Sequence, residues 1–194
     1  MTKQSRSKTF FISDLHAYHK NIIKHDNRPF FTVTEMNNTL ISNWNTTVLP
    51  QDTVYILGDV SWGNETETDL FLSQLNGKKH LIIGNHDDII LRSKQLRSHF
   101  ESINYYAKIK VSTLQGTKTV ILSHYFIPFY DGHYRDAILL HGHSHITAER
   151  DEELIIAEEL NRKGFDNQIC NVGCMLSYMG YTPRTLDELL CVKA

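Results

Sequence analysis
Seven side chains able to bind a divalent cation fall in five short clusters: Asp14 and His16 in "DLH", Asp59 in "GD", Asn85 in "GNHDD", His124 in "SH", and His143 and His145 in "HGHSH". They offer imidazole nitrogens, carboxylates and one amide oxygen, a donor set that suits borderline divalent ions and needs no thiolate. Seven donors are too many for one tetrahedral ion but suit two ions sharing a bridging carboxylate. Two such ions, roughly 3.5–4 Å apart, are a recurring apparatus for hydrolysing phosphate esters. The ions bring about +4, two aspartates remove about 2 and a metal-bound hydroxide about 1, so the remaining positive charge favours an incoming phosphate. An anion-selective site is therefore expected in a chain whose net charge is −2.

Each cluster directly follows a short apolar run: "TFFIS", "TVYIL", "HLII", "TVILS" and "AILL". Runs this short, largely β-branched, aromatic or leucine, are those of strands buried on both faces. Neighbouring parallel strands end on one sheet edge, where ligands bind, so the clusters are expected on one patch. Asp14 and His16, like His143 and His145, are two apart, which in extended backbone points both side chains the same way. The glycines before Asp59, Asn85 and His143 permit tight turns or close backbone approach.

Helical patterns separate the first three runs. "TEMNNTLISNWN" offers Thr34 as N-cap and spaces Met36, Leu40 and Trp44 at i, i+4 and i+8. "ETETDLFLSQLNG" has acids in its first turn and Gly77 as a C-terminal stop. After Ser98, "INYYAKIKVSTLQGTKTVILSH" reads as two strands joined by a turn at Gln115-Gly116. "RDEELIIAEELNRKG" reads as a helix stopped by Gly164, and "TLDE" at Thr185 to Glu188 has the capping-box spacing. The outline is an α/β chain of one domain, residues 1–194, with two sheets or one mixed sheet.

With 41% hydrophobic and 22% charged residues the composition is that of a soluble globular protein. No basic excess points to a broad nucleic-acid-binding surface. Three cysteines, Cys170, Cys174 and Cys191, make neither a disulfide framework nor a thiolate zinc site and read as buried or incidental thiols. No apolar run approaches the roughly 20 residues of a membrane span, and the basic N-terminus lacks a signal-length apolar segment. A cytoplasmic setting is expected.

The five clusters, in this order from residue 14 to 145, resemble the five-part signature of calcineurin-like metallophosphoesterases. The flanking stretches "HKNIIKHDNRPF", "LISNWN" and "NVG…YTPRTLDEL" are similar to a small bacterial and phage subgroup; residues 148–168 match least. The resemblance implies a four-layer αββα sandwich with two mixed sheets and the metal site at the strand C-terminal ends. It assigns one ion to Asp14, His16, Asp59 and His145, and the other to Asp59, Asn85, His124 and His143. It implies a phosphoesterase acting on a small phosphate ester through a metal-bridging hydroxide, with manganese first among the ions and iron, zinc, nickel or cobalt also admitted. His86 corresponds to the histidine that faces the scissile phosphate without touching metal. Asp87 is expected to hydrogen-bond His86 and favour its charged form, and His19 and Arg28 to approach the substrate.

His25, His80, His99 and His133 read as structural, and His141 either as a strand end or as a residue supporting the ligands from behind. Protein phosphatases of this superfamily carry Asp-Arg-Gly shortly after the GD pair. Here the stretch is "GDVSWG", which weakens a phosphoprotein-phosphatase reading and leaves Trp62 as a pocket wall or a packing residue. Monoester and diester chemistry are both open. The alternative is a non-catalytic metal-binding docking scaffold of the same fold, disfavoured because His86 and every ligand position are present.

Overall fold
The computed structural model describes residues 7–165 and 168–192; the basic start of the chain, residues 1–6, lies outside them. The elements run β1 (Thr9–Ile12), α1 (Ile22–His25), α2 (Val33–Thr47), β2 (Thr53–Ile56), α3 (Glu65–Ser73), β3 (Lys78–Ile82), α4 (Asp88–Arg92), α5 (Lys94–Arg97) and β4 (Phe100–Asn104). They continue with β5 (Tyr106–Thr113), β6 (Gly116–Ser123), β7 (Ile138–His141), α6 (Ala148–Arg162), β8 (Gln168–Asn171), β9 (Arg184–Thr185) and α7 (Leu186–Val192). All five apolar runs form strands: β1, β2, β3, β6 and β7.

Two mixed sheets result. The first has the order β4-β3-β2-β1-β9, parallel except for the short β9. The second has the order β5-β6-β7-β8, in which the β5–β6 hairpin is antiparallel and β6, β7 and β8 are parallel. One apolar cluster runs from Met36, Leu40 and Trp44 of α2 and Phe71 of α3 through the first sheet to Val120, Leu122, Ile138 and Leu140. The intervening residues Ile121, Leu139 and Ile169 form a second cluster with Tyr130 and Ala137. Alternation along β6 and β7 thus packs one face on the first sheet and the other on an outer layer, where the loop at 125–137 and α6 lie. This is the layered αββα arrangement.

Local details depart from the sequence reading. The N-cap of α2 is Thr32, whose side chain accepts from the Glu35 N–H, so the helix begins before Thr34. Asn64 and Glu67 form a capping box on α3, which ends at Ser73 with Gln74 as its C-cap; Gly77, at φ +83°, serves the turn into β3 instead. Residues 103–106 divide between β4 and β5, so the chain changes sheets there, and the hairpin turn is Leu114-Gln115. The expected box at α7 is present, with the Thr185 N–H donating to Glu188 Oε2 at 2.7 Å. Among the described residues no helix is long and apolar enough to cross a membrane.

Candidate metal centre
Beyond β1 the chain turns through Asp14, His16 and Tyr18, all at left-handed φ (56°, 49° and 64°). Asp59, His143 and His145 share this conformation, at 56°, 73° and 50°. Extended backbone is therefore not what aligns the ligand pairs spaced two apart; alternating left-handed residues do it. Each such non-glycine residue costs on the order of 1–3 kcal/mol and persists only where its surroundings over-determine it. Here Asp14, His16 and Ala17 donate their main-chain N–H groups to the carbonyls of Gly58, Asp59 and Val60 at 3.0, 3.0 and 3.1 Å. The loops after β1 and β2 are thereby locked side by side. The second sheet is tied in where Ser13 donates to Val172 at 2.9 Å and Cys174 to Ser13 at 3.0 Å.

Four residues turn ligating atoms into one space: those of Asp14, His16, Asp59 and His145 all lie within 4.8 Å of one another. Nε2 of His16 is 3.1 Å from Nε2 of His145 and 3.5 Å from Oδ2 of Asp59, and His145 Nε2 is 3.4 Å from Oδ1 of Asp14. A cation about 2.0–2.2 Å from four such donors sets them roughly 3.3–3.6 Å apart, so the set fits a divalent ion. A second set shares Asp59. Its Oδ1 lies 3.7 Å from His124 Nε2, which is 3.0 Å from Asn85 Oδ1, and the His143 ring is 5.1 Å from that of His124. Backbone without a Cβ makes room for the carboxylates: a Cβ on Gly84 would overlap Asp59 Oδ1, and one on Gly142 would overlap Asp14 Oδ2.

Hydrogen bonds behind the ligands fix their tautomers. His124 donates its Nδ1–H to the Leu57 carbonyl at 2.7 Å, which leaves Nε2 as a lone-pair donor toward Asp59 and Asn85. His145 donates Nδ1–H to the Asp26 carboxylate at 2.9 and 3.0 Å, aiming Nε2 inward. Carboxylate–histidine pairs of this kind raise ligand basicity and hold the ring for a metal.

The titration directions follow. Burial opposes charge on Asp14, yet the hydrogen bond from His145 and the nearby rings of His145, His124 and His16 hold it well below the usual carboxylate range. Burial raises Asp59, and Asp14 adds to this against the pull of His124. Burial takes His16 down to about 2 despite Asp14. Burial also works against charge on His145, but Asp14 and Asp26 outweigh it and push the group up to about 9. A proton on His145 sits where a cation would, so the two compete.

The family model described as calcineurin-like phosphoesterase matches residues 7–171, which include every one of these donors. The chain belongs to that family. It is 37% identical to the uncharacterized protein MJ1445 of Methanocaldococcus jannaschii over 193 residues, covering 96% of this chain and 91% of that one. It is 31% identical to the gene 66 protein of Mycobacterium phage L5, covering 81% of this chain and 84% of the phage protein. Among solved structures it is similar to AQ665 of Aquifex aeolicus, a protein of unknown function, with a TM-score of 0.66 and 26% identity over 91% of this chain and 94% of the other.

Geometry corrects two of the site expectations. Arg28 does not face the substrate side. Its guanidinium side chain is 0% exposed and donates to the main-chain carbonyls of Asp14 and Leu15, each at 2.9 Å, and to Asp26 at 3.0 Å. It props the left-handed turn from behind. Asp87 does not orient His86. Its buried carboxylate accepts the main-chain N–H groups of Asp59, Val60 and Gly84 at 3.0, 3.0 and 2.8 Å. It joins the loops after β2 and β3. Burial nevertheless raises its pKa, with those three N–H bonds opposing.

His86 lies at the mouth of the centre, its ring 5.7 Å from His16 and 4.5 Å from the half-exposed Trp62. His19 stacks on Trp62 at 4.3 Å and is 5.6 Å from His16, so it faces the same opening. A cleft of about 510 Å³, bounded by Trp62, Asn85, His86 and Arg92, extends from there. Three of the four histidines read as structural find other partners: His80 bonds Ser102, His99 pairs with Asp69 and His133 bonds Tyr130. His141 ends β7, buried behind the site.

Asp26 is the residue the sequence did not single out. It joins Arg28 to His145, and nothing local marks it, because its histidine partner is 119 positions away. Asp26→Asn is expected to weaken metal binding about 10–100-fold, the usual cost of losing such a partner. Titration calorimetry with Mn²⁺ on the metal-stripped variant checks this; unchanged affinity would mean that Asp26 serves Arg28 alone.

Proposed function
We propose that this phosphoesterase hydrolyses phosphate esters with two divalent ions. Asp59 carries the reading: one of its carboxylate oxygens faces His16 at 3.5 Å and the other faces His124 at 3.7 Å, so two donor sets meet at one bridging group. Asp14, His16 and His145 would complete one site, and Asn85, His124 and His143 the other. Bound ions of this kind supply a water acidic enough to attack phosphorus near neutral pH, and positive charge against the phosphate oxygens.

The chain supplies the remainder. His86 is tethered to the centre by its main-chain N–H, which donates to Asp59 at 3.0 Å, while its imidazole lies beside the cleft. From there it gives a proton to the departing ester oxygen. His19, held flat against Trp62, adds an imidazole that can hydrogen-bond the phosphate. The nitrogen and oxygen donors admit manganese, taken first here, and equally iron, zinc, nickel or cobalt.

Adding Mn²⁺ at about 100 times the Kd of the tighter site to metal-stripped protein is expected to stabilise it by about 2.7 kcal/mol through that site alone. For a chain of this size that raises Tm by about 5–10 °C. Release of p-nitrophenolate from p-nitrophenyl phosphate or bis(p-nitrophenyl) phosphate should appear with it. An unchanged Tm and no release with any of the five metals would remove the proposal.

A further inference from the structure
The centre is open on two flanks. Asn85 and His86 border the polar cleft on one side. On the other, a cleft of about 450 Å³ is bordered by His143, Tyr125, Phe126 and Ile156, with Glu149 and Glu152 at its edge. Each cleft therefore contains a ligand candidate and opens onto the same centre. The Tyr125 ring packs on both His124 and His143, at 5.0 and 4.7 Å, and forms a wall of the second cleft. The opposite wall belongs to α6, where Glu149, Glu152 and Ile156 lie at i, i+3 and i+7 on one helical face. Tyr125 and Ile156 present apolar surface here, 47% and 39% exposed.

We propose that the second cleft receives the second substituent of a phosphodiester, and that this substituent is apolar and carries no negative charge. The inference rests on the phosphoesterase reading above and assigns its substrate class. A phosphate held at the centre directs one ester arm to the His86 side. A monoester has only that arm and leaves the second cleft with nothing to bind, whereas a diester has an arm for each. The tyrosine, phenylalanine and isoleucine gain by covering an apolar group. Glu149, whose Oε2 is 3.9 Å from His143 Nε2, and Glu152 repel an arm bearing a further phosphate, which disfavours nucleotides and nucleic-acid ends. In the reaction, water adds to phosphorus as the P–O bond on the His86 side breaks. The departing oxygen takes its proton from His86, the attacking water gives one up in exchange, and the monoester that leaves still carries the apolar arm.

The test uses the Mn²⁺-loaded full-length protein and three substrates read by the same p-nitrophenolate release: p-nitrophenyl phosphate, its methyl diester and its phenyl diester. The phenyl diester is expected to show kcat/KM about tenfold above the methyl diester, as burying an aromatic arm should give. Ile156→Asp, at a partly exposed position where folding tolerates the change, should bring that ratio close to one. Ile155→Asp, on the same helix, 58% exposed and outside the cleft, should leave the ratio near tenfold. Equal kcat/KM for the two diesters, a ratio indifferent to Ile156→Asp, or faster turnover of the monoester than of either diester would overturn the assignment. No release from any of the three would overturn the phosphoesterase reading itself, and this assignment with it.

Discussion
Replacing Asp87 by alanine is expected to destabilise the protein by about 3–5 kcal/mol, because three buried main-chain N–H groups lose their charged acceptor. At this chain length the loss lowers Tm by about 6–20 °C, measurable by scanning calorimetry on metal-free protein. The three donors belong to Gly84, Asp59 and Val60, so the carboxylate is the peg between two loops that each carry a ligand. Metal affinity should fall together with stability. A residue that merely oriented His86 would behave differently, lowering turnover while leaving Tm in place. The two outcomes separate cleanly.

The sequence showed the strands and donors because both are written locally. The apolar runs of β1, β2, β3, β6 and β7 each end in a polar cluster, and parallel pairing needs no further information to bring those ends together. Asp14, Asp59, Asn85 and His124 could be read for that reason. What the sequence hid depends on contacts between distant segments. Arg28 looked like a phosphate ligand because arginine so often is one; only the turn at Asp14 and Leu15, whose carbonyls take its donors, reveals that it faces inward. Asp87 stands beside His86 in the chain, but the turn points its carboxylate back toward Gly84 and across to β2's loop. The left-handed residues were equally hidden: aspartate and histidine do not advertise positive φ as glycine does, and the strain is tolerated because neighbouring loops hold it. Of the edge strands, β8 and the two-residue β9 carry too little periodicity to be read at all.

His86→Ala should leave the protein folded and loaded with metal, because the group that reaches Asp59 is the main-chain N–H at 3.0 Å, which alanine retains. The imidazole touches the neighbouring rings of His16 and Trp62 but belongs to neither donor set. Its loss is therefore expected to lower kcat by 10²–10⁴, the range for one positioned acid, with Mn²⁺ affinity within about twofold of wild type. The size of the loss should depend on the leaving group. An alkoxide needs a proton as it departs, so an alkyl ester should suffer the full decrease. p-Nitrophenolate is stable unprotonated, and its ester should lose tenfold or less. A uniform drop across both esters would assign His86 to charge stabilisation at the phosphate oxygens, since that contribution does not depend on the basicity of the departing oxygen. A drop confined to the alkyl ester places the proton on the departing oxygen, on the side of the centre where the Trp62 cleft opens.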